Sequence, residues 1–144
     1  MVYKTIISVD DLKNNLNNDD FLIFDSRCDI KDSGYGIDSY TEGHIPNSIF
    51  VDVDTDLASE KRPGTGRHPL PDPNTFSEKL SHWGMSNNKQ VVVYDDAGGA
   101  FAGRLWWMLK WLGHEAVAVL DGGLNSWVKG GNKLVTTPTV FEKA

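Results

Sequence analysis

The stretch Val91-Val-Val-Tyr-Asp-Asp-Ala-Gly-Gly-Ala-Phe-Ala-Gly-Arg104, continuing as Leu105-Trp-Trp-Met-Leu-Lys-Trp-Leu-Gly113, decides the fold. Four apolar or aromatic residues in a row, three of them valine, read as a strand buried on both faces. Two aspartates and a glycine-rich turn follow at once. A helix comes next, with Phe101, Leu105, Met108, Leu109 and Leu112 on one side, and Gly113 stops it. Strand, tight loop and helix form the repeating unit of an open α/β sheet, whose ligands bind beyond the carboxyl ends of the strands. The amides of such a loop, helped by the helix N-terminus, can converge on an anion. Asp95, at the strand tip, is therefore the most informative side chain in the sequence.

Outward from this unit the same alternation recurs. Ile6-Ile7 reads as a first strand, and Ser8-Val-Asp-Asp11 as the capped start of a helix with Val9, Leu12 and Leu16 on its apolar face. Phe21-Leu-Ile-Phe24 is a second buried strand, with Asp25-Ser-Arg-Cys28 at its end. Residues 29–40 are polar, contain two glycines and read as a loop, with a short helical turn before Gly43. Ser48-Ile-Phe-Val51 is a third strand. Residues 57–74 hold four prolines and few apolar anchors, which predicts a long surface excursion of the kind that often carries function. Thr75-Phe-Ser-Glu78 reads as a capping box, opening a helix with Phe76, Leu80 and Trp83 inward and Gly84 at its end. Ala116-Val-Ala-Val-Leu120 is a fifth strand, and Leu124, Trp127 and Val128 mark a last helix ending at Gly130-Gly131. The expected fold class is α/β: three layers, a five-stranded, mainly parallel sheet with helices on both faces. Residues 1–131 form the expected domain, and 132–144, which show no period, a tail or the start of a linker.

At 144 residues the chain is one domain by size, long enough to bury about 70% of its unfolded surface. A net charge of −6 and a pI near 5.0 argue against nucleic acid or an anionic membrane as partner. No apolar run is long enough to span a bilayer. The amino terminus lacks a signal or transit pattern, and the single cysteine, Cys28, fits a reducing compartment, so a cytoplasmic location is expected.

The glycines invite a nucleotide, but the loop matches neither the dinucleotide fingerprint nor the Walker pattern. His44, His68, His82 and His114 are scattered and Cys28 has no ligand-spaced partner, so neither a metal nor another cofactor is expected. A hydrolase elbow would need Gly-x-Ser-x-Gly, which is missing. Asp95 keeps three readings. It caps the following turn and helix; or it is a nucleophile, as in aspartyl-phosphate enzymes, although those place a second Asp two residues on and Asp96 is adjacent; or the loop is an anion cradle that Asp95 fills from within. Cys28 is either an ordinary loop cysteine or, beside Arg27, an activated thiol, though no cradle of amides stands behind it. Trp106, Trp107 and Trp111 cover more than one helix face. They pack on the sheet, or some face outward onto something beyond the domain.

Taken together, Phe24-Asp-Ser-Arg27, Tyr40-Thr-Glu-Gly-His-Ile-Pro-Asn-Ser-Ile-Phe50, Val92-Val-Tyr-Asp95, Arg104-Leu-Trp-Trp-Met-Leu109, Leu112-Gly-His114 and Val119-Leu-Asp-Gly-Gly-Leu-Asn-Ser-Trp127 resemble a rhodanese domain over residues 5–130. More closely, the pattern is similar to the amino-terminal half of two-domain thiosulfate and 3-mercaptopyruvate sulfurtransferases, which are built from a repeat of the domain. That resemblance implies sulfur chemistry in the parent enzyme: a cysteine thiolate at the strand tip takes a sulfane sulfur as a persulfide and passes it to cyanide or another thiol. Here the position is Asp95, and a hard carboxylate oxygen forms no persulfide. The implied role is a catalytically silent half that packs on a second rhodanese domain and closes the cleft, where a small sulfur donor binds only in the two-domain form. Asp54 and His68 match the cleft contributors of mercaptopyruvate-type members. Asp95, Asp96, Gly98, Gly99 and Arg104 match the catalytic loop, here a pseudo-active site, and Trp106, Trp107 and Trp111 are the candidate docking face. The alternative is a stand-alone inactive module that binds protein partners. A third reading is sulfur transfer through Cys28.

Overall fold

The computed structural model describes residues 2–29, 31–32, 34–53, 56, 72–137 and 139. Among these residues five strands form one sheet: β1 (Ile6–Ile7), β2 (Phe21–Asp25), β3 (Ser48–Phe50), β4 (Gln90–Tyr94) and β5 (Val117–Leu120). Their order is β1-β5-β4-β2-β3, and every pairing is parallel. Five helices among the described residues accompany them: α1 (Val9–Asn14), α2 (Tyr35–Glu42), α3 (Pro73–His82), α4 (Ala102–Trp111) and α5 (Gly123–Lys129).

Side-chain alternation along the strands divides the core in two. Val91 and Val93 of β4 join Phe24, Ile49 and Val117 under α3 and α4, whose Phe76, Leu80, Leu105, Met108 and Leu109 are all buried. Val92 and Tyr94 point the other way, with Ile7, Ile23 and Leu120, under Leu12 of α1 and Leu124 and Trp127 of α5. All five residues of β4 are buried, because this central strand is covered on both faces. That three-layer α/β architecture is the one expected from the sequence. Among the described residues no helix is long and apolar enough to cross a membrane.

Helix starts reward local chemistry. Ser8 Oγ accepts the Asp11 amide at 3.1 Å, as the sequence predicts. For α3 the prediction is corrected: the helix opens at Pro73 with Asp72 as N-cap, its carboxylate accepting the Thr75 amide at 3.1 Å. An aspartate cap followed by proline at the first helical position starts the helix three residues earlier than the Thr75 capping box would. The segment 29–40, read as loop, carries most of α2. Glycine hid this helix. A Cβ on Gly36 would lie 2.2 Å from the Arg27 carbonyl oxygen, so close packing demands the residue that weakens the helical signal.

Residues 132–137 do not trail away from α5. Asn132 bonds the Trp127 carbonyl and the Trp127 indole N–H bonds that of Lys133 at 3.0 Å. Val135 then pairs with His44 by two backbone hydrogen bonds of 2.9 Å, alongside the sheet's β3 side.

Candidate functional site

The tips of β2, β4 and β5 converge on Asp95. The residue is 1% exposed, and its carboxylate is completely ringed by backbone donors. Oδ1 accepts the amides of Ala97 and Gly99, both at 3.0 Å; Oδ2 accepts those of Phe101 at 2.9 Å and Ala102 at 2.8 Å. Positive φ at Gly98 (71°) and Gly99 (93°) turns successive amides inward, a path that side chains with a Cβ resist. Ala102 is the first residue of α4, so the carboxylate also sits at the positive end of a ten-residue helix. Of the three readings of Asp95, the one that holds is the cradle filled from within, which also caps the helix. A carboxylate whose two oxygens are each held by two amides has no oxygen free to attack a substrate.

The turn after β5 locks this arrangement. The Asp95 carbonyl accepts the Leu124 amide at 2.9 Å, and a Cβ on Gly123 would approach that carbonyl oxygen to 2.6 Å. Gly123 has φ of 61° and Gly122 has φ of 73°, so the Gly-Gly pair fits both the turn and the contact. Asp96 is half-buried and faces outward, where its carboxylate accepts a hydrogen bond from the Tyr35 hydroxyl at the start of α2. That bond, with some burial, raises the Tyr35 phenol above its ordinary range. Arg104, half-buried on the first turn of α4, is lowered from the usual arginine range by burial.

Beneath the cradle lies a polar network that sequence reasoning quoted as a motif without giving it a role. Asp25 and Arg27 are 0% and 5% exposed. Arg27 Nε reaches both Asp25 oxygens, at 3.2 and 3.0 Å, and Nη2 donates to Oδ2 and to the Gly43 carbonyl, both at 2.7 Å. Burial lowers the Arg27 guanidinium, but pairing with Asp25 outweighs it and the net direction is upward. The Tyr94 hydroxyl donates to Asp25 at 3.0 Å, accepts the Ile45 amide at 3.2 Å and lies 2.9 Å from Ser48 Oγ. Burial first, then the Asp25 charge, pushes the Tyr94 phenol well above its usual range. Among the described residues no buried side-chain nitrogen or oxygen lacks a partner. A signal was available: Asp and Arg two residues apart directly after an apolar strand must be paired if buried.

Cys28 is half-buried at the rim of a cavity of about 10 Å³, shared with Arg27, Gly36, Phe50 and Asp52. That is the space of a single water, not of a sulfur donor. A much larger hollow, about 750 Å³, lies at the opposite, amino end of the strands between Leu16, Phe21, Ile49 and Trp83, away from the cradle. On α4 only part of the aromatic platform faces out. Trp107 and Trp111 are 48% and 41% exposed and stack at 6.0 Å, whereas the half-buried Trp106 turns in and donates its indole N–H toward the Lys4 and Val117 carbonyls. Asp54 and His68 lie outside the described residues.

Fold and site define an α/β domain with an anion cradle at its central strand tip, stoppered by its own carboxylate. The family model for the rhodanese-like domain matches residues 8–130, and the chain belongs to that family. It is 45% identical over 128 residues to the probable 3-mercaptopyruvate sulfurtransferase of Pseudomonas aeruginosa, covering 88% of this chain and 45% of the relative. It is 39% identical over 127 residues to the mitochondrial thiosulfate/3-mercaptopyruvate sulfurtransferase 1 of Arabidopsis thaliana, covering 88% and 33%. Among solved structures, the 3-mercaptopyruvate sulfurtransferase of Leishmania major superposes with a TM-score of 0.83 at 30% identity, over 98% of this chain and 41% of that one. The chain thus spans less than half the length of these relatives.

Proposed function

We propose that this domain is the non-catalytic half of a thiosulfate or 3-mercaptopyruvate sulfurtransferase. One observation carries the reading. At the strand tip, where persulfide chemistry calls for a thiolate, Asp95 occupies the amides that would hold a transferred sulfur. Its carboxylate is neither soft enough to take that sulfur nor free to attack anything else. The domain's contribution is then architectural: a wall of the cleft, to which Asp54 and His68 bring polar groups, completed by a second rhodanese domain. The stacked Trp107–Trp111 pair is the candidate face for that partner, since two large exposed aromatics side by side are costly to leave in water. The lengths of the sulfurtransferase relatives leave room for such a second half.

Thiosulfate:cyanide and mercaptopyruvate turnover by the purified 144-residue chain, beside its Cys28→Ser variant, tests this directly. Both proteins are expected at the protein-free background. Turnover at an enzyme-like rate by the parent chain would overturn the reading, and its loss in Cys28→Ser would move the chemistry to that thiol.

A further inference from the structure

The segment after α5 is held along its length by groups buried in the domain. His44, between α2 and β3, is 0% exposed, and its ring stacks on Tyr40 with centroids 3.8 Å apart and planes within 5°. Nδ1 lies 2.8 Å from the Tyr40 carbonyl, and Nε2 lies 2.9 Å from the Thr137 carbonyl. The His44 backbone meanwhile exchanges two 2.9 Å bonds with Val135. One residue thus grips the segment at two points, through its main chain and through its ring.

A second grip follows. Thr139 Oγ1 donates to the Ser48 carbonyl at 2.6 Å, on the first residue of β3, and its amide lies 3.4 Å from the Tyr40 hydroxyl. The Tyr40 hydroxyl donates to the same Ser48 carbonyl at 2.6 Å. Among the described residues β3 is an edge strand with no further strand to answer that carbonyl, and the segment supplies one of its partners. Leu134 packs where Gly43 leaves room: a Cβ there would touch Leu134 at 3.3 Å. The segment's own side chains are mostly exposed, with Lys133, Leu134, Thr136 and Thr137 all facing water, so apolar burial does not hold it. Directional bonds to buried groups do.

We propose that His44 and Thr139 are positioning residues that strap residues 133–137 and 139 across the β3 edge, so that the segment after α5 is held beside β3. The role does not depend on whether a second domain follows. It gives the Gly43-His-Ile-Pro46 element a task that neither sulfur chemistry nor core packing assigns.

Amide hydrogen exchange of the full 144-residue chain, read by NMR, tests it through two reporters: Val135, whose amide donates to His44, and Val93 in the core of β4. In His44→Asn the shorter side chain cannot span both carbonyls, and Val135 is expected to exchange about tenfold faster while Val93 stays put. His44→Gln, whose amide reaches further, is expected to restore most of that protection. Thr139→Val removes the second grip without touching the core and is expected to speed Val135 several-fold; it decides the matter alone if His44→Asn fails to fold. Val135 exchange unchanged in the folded variants, or moving only in step with Val93, would overturn the proposal.

Discussion

Removing the Asp95 carboxylate should be expensive, and the structure says by how much. Four amides donate to it at 2.8–3.0 Å, and hydrogen bonds to charged groups contribute about 1.5–3 kcal/mol each. Their plain sum, about 6–12 kcal/mol, would consume most of a domain's stability, so it cannot be right as it stands. Burial corrects it. The Ala102 bond is buried, whereas those of Ala97, Gly99 and Phe101 are partly exposed, and water can replace their acceptor. One full loss of about 2–3 kcal/mol and three partial ones of about 0.5 give roughly 4 kcal/mol for Asp95→Ala, or about 10–15 °C in Tm. Asp95→Asn should fare little better despite its matching shape. Its amide nitrogen would point N–H groups at two backbone N–H groups, turning two bonds into repulsions. Urea unfolding followed by tryptophan fluorescence measures both variants. Formate or acetate at high concentration should recover part of the loss in the alanine variant, because the emptied cradle fits a planar carboxylate. A loss below about 1 kcal/mol in Asp95→Ala, or an Asn variant as stable as the parent, would refute the reasoning.

Two further outcomes follow from the same neighbourhood. Tyr94 holds its proton more tightly when folded, so its contribution to stability is complete below the unfolded tyrosine value of about 10 and is lost as pH rises through the folded one. The stability difference between parent and Tyr94→Phe, followed by urea titration from pH 8 to 11.5, should therefore shift against the parent above about pH 10 by up to 1.4 kcal/mol per pH unit; a pH-independent difference would contradict the burial argument. Gly123→Ala combines a left-handed φ with a Cβ 2.6 Å from the Asp95 carbonyl oxygen and should cost about 3 kcal/mol in the same unfolding assay, with less than 1 kcal/mol counting against the contact.

The architecture was readable because its central signal was strong. Val91-Val-Val-Tyr94 can only be a strand covered on both sides, and the glycine turn with its amphipathic helix fixes what comes next. Asp95 as an internal stopper was also legible, since a strand-tip carboxylate before a glycine-rich loop and a helix start has few other places to go. What escaped notice depended on partners distant in sequence. Tyr94 meets Asp25 across 69 positions and Thr137 meets His44 across 93, and neither contact has a local signature. In α2, Gly36 serves a tertiary contact at the expense of helix propensity, so the sequence pattern there argues for the wrong element. Trp106 and Trp107 are neighbours in the chain, yet one turns in and the other out, a distinction that periodicity blurs when so many positions are aromatic.

The pairing of Ile6 with Val119 has a bearing on how this molecule is born. Among the described residues, β1 has its sheet neighbour in β5, more than a hundred residues later in synthesis. Until that stretch emerges, the growing polypeptide can assemble β2, β3 and β4 but not close the sheet, and the open flank of β4 stays unprotected from other nascent chains. Completion here is a late and single event, and any shortening of the message before the β5 codons leaves a product that cannot finish.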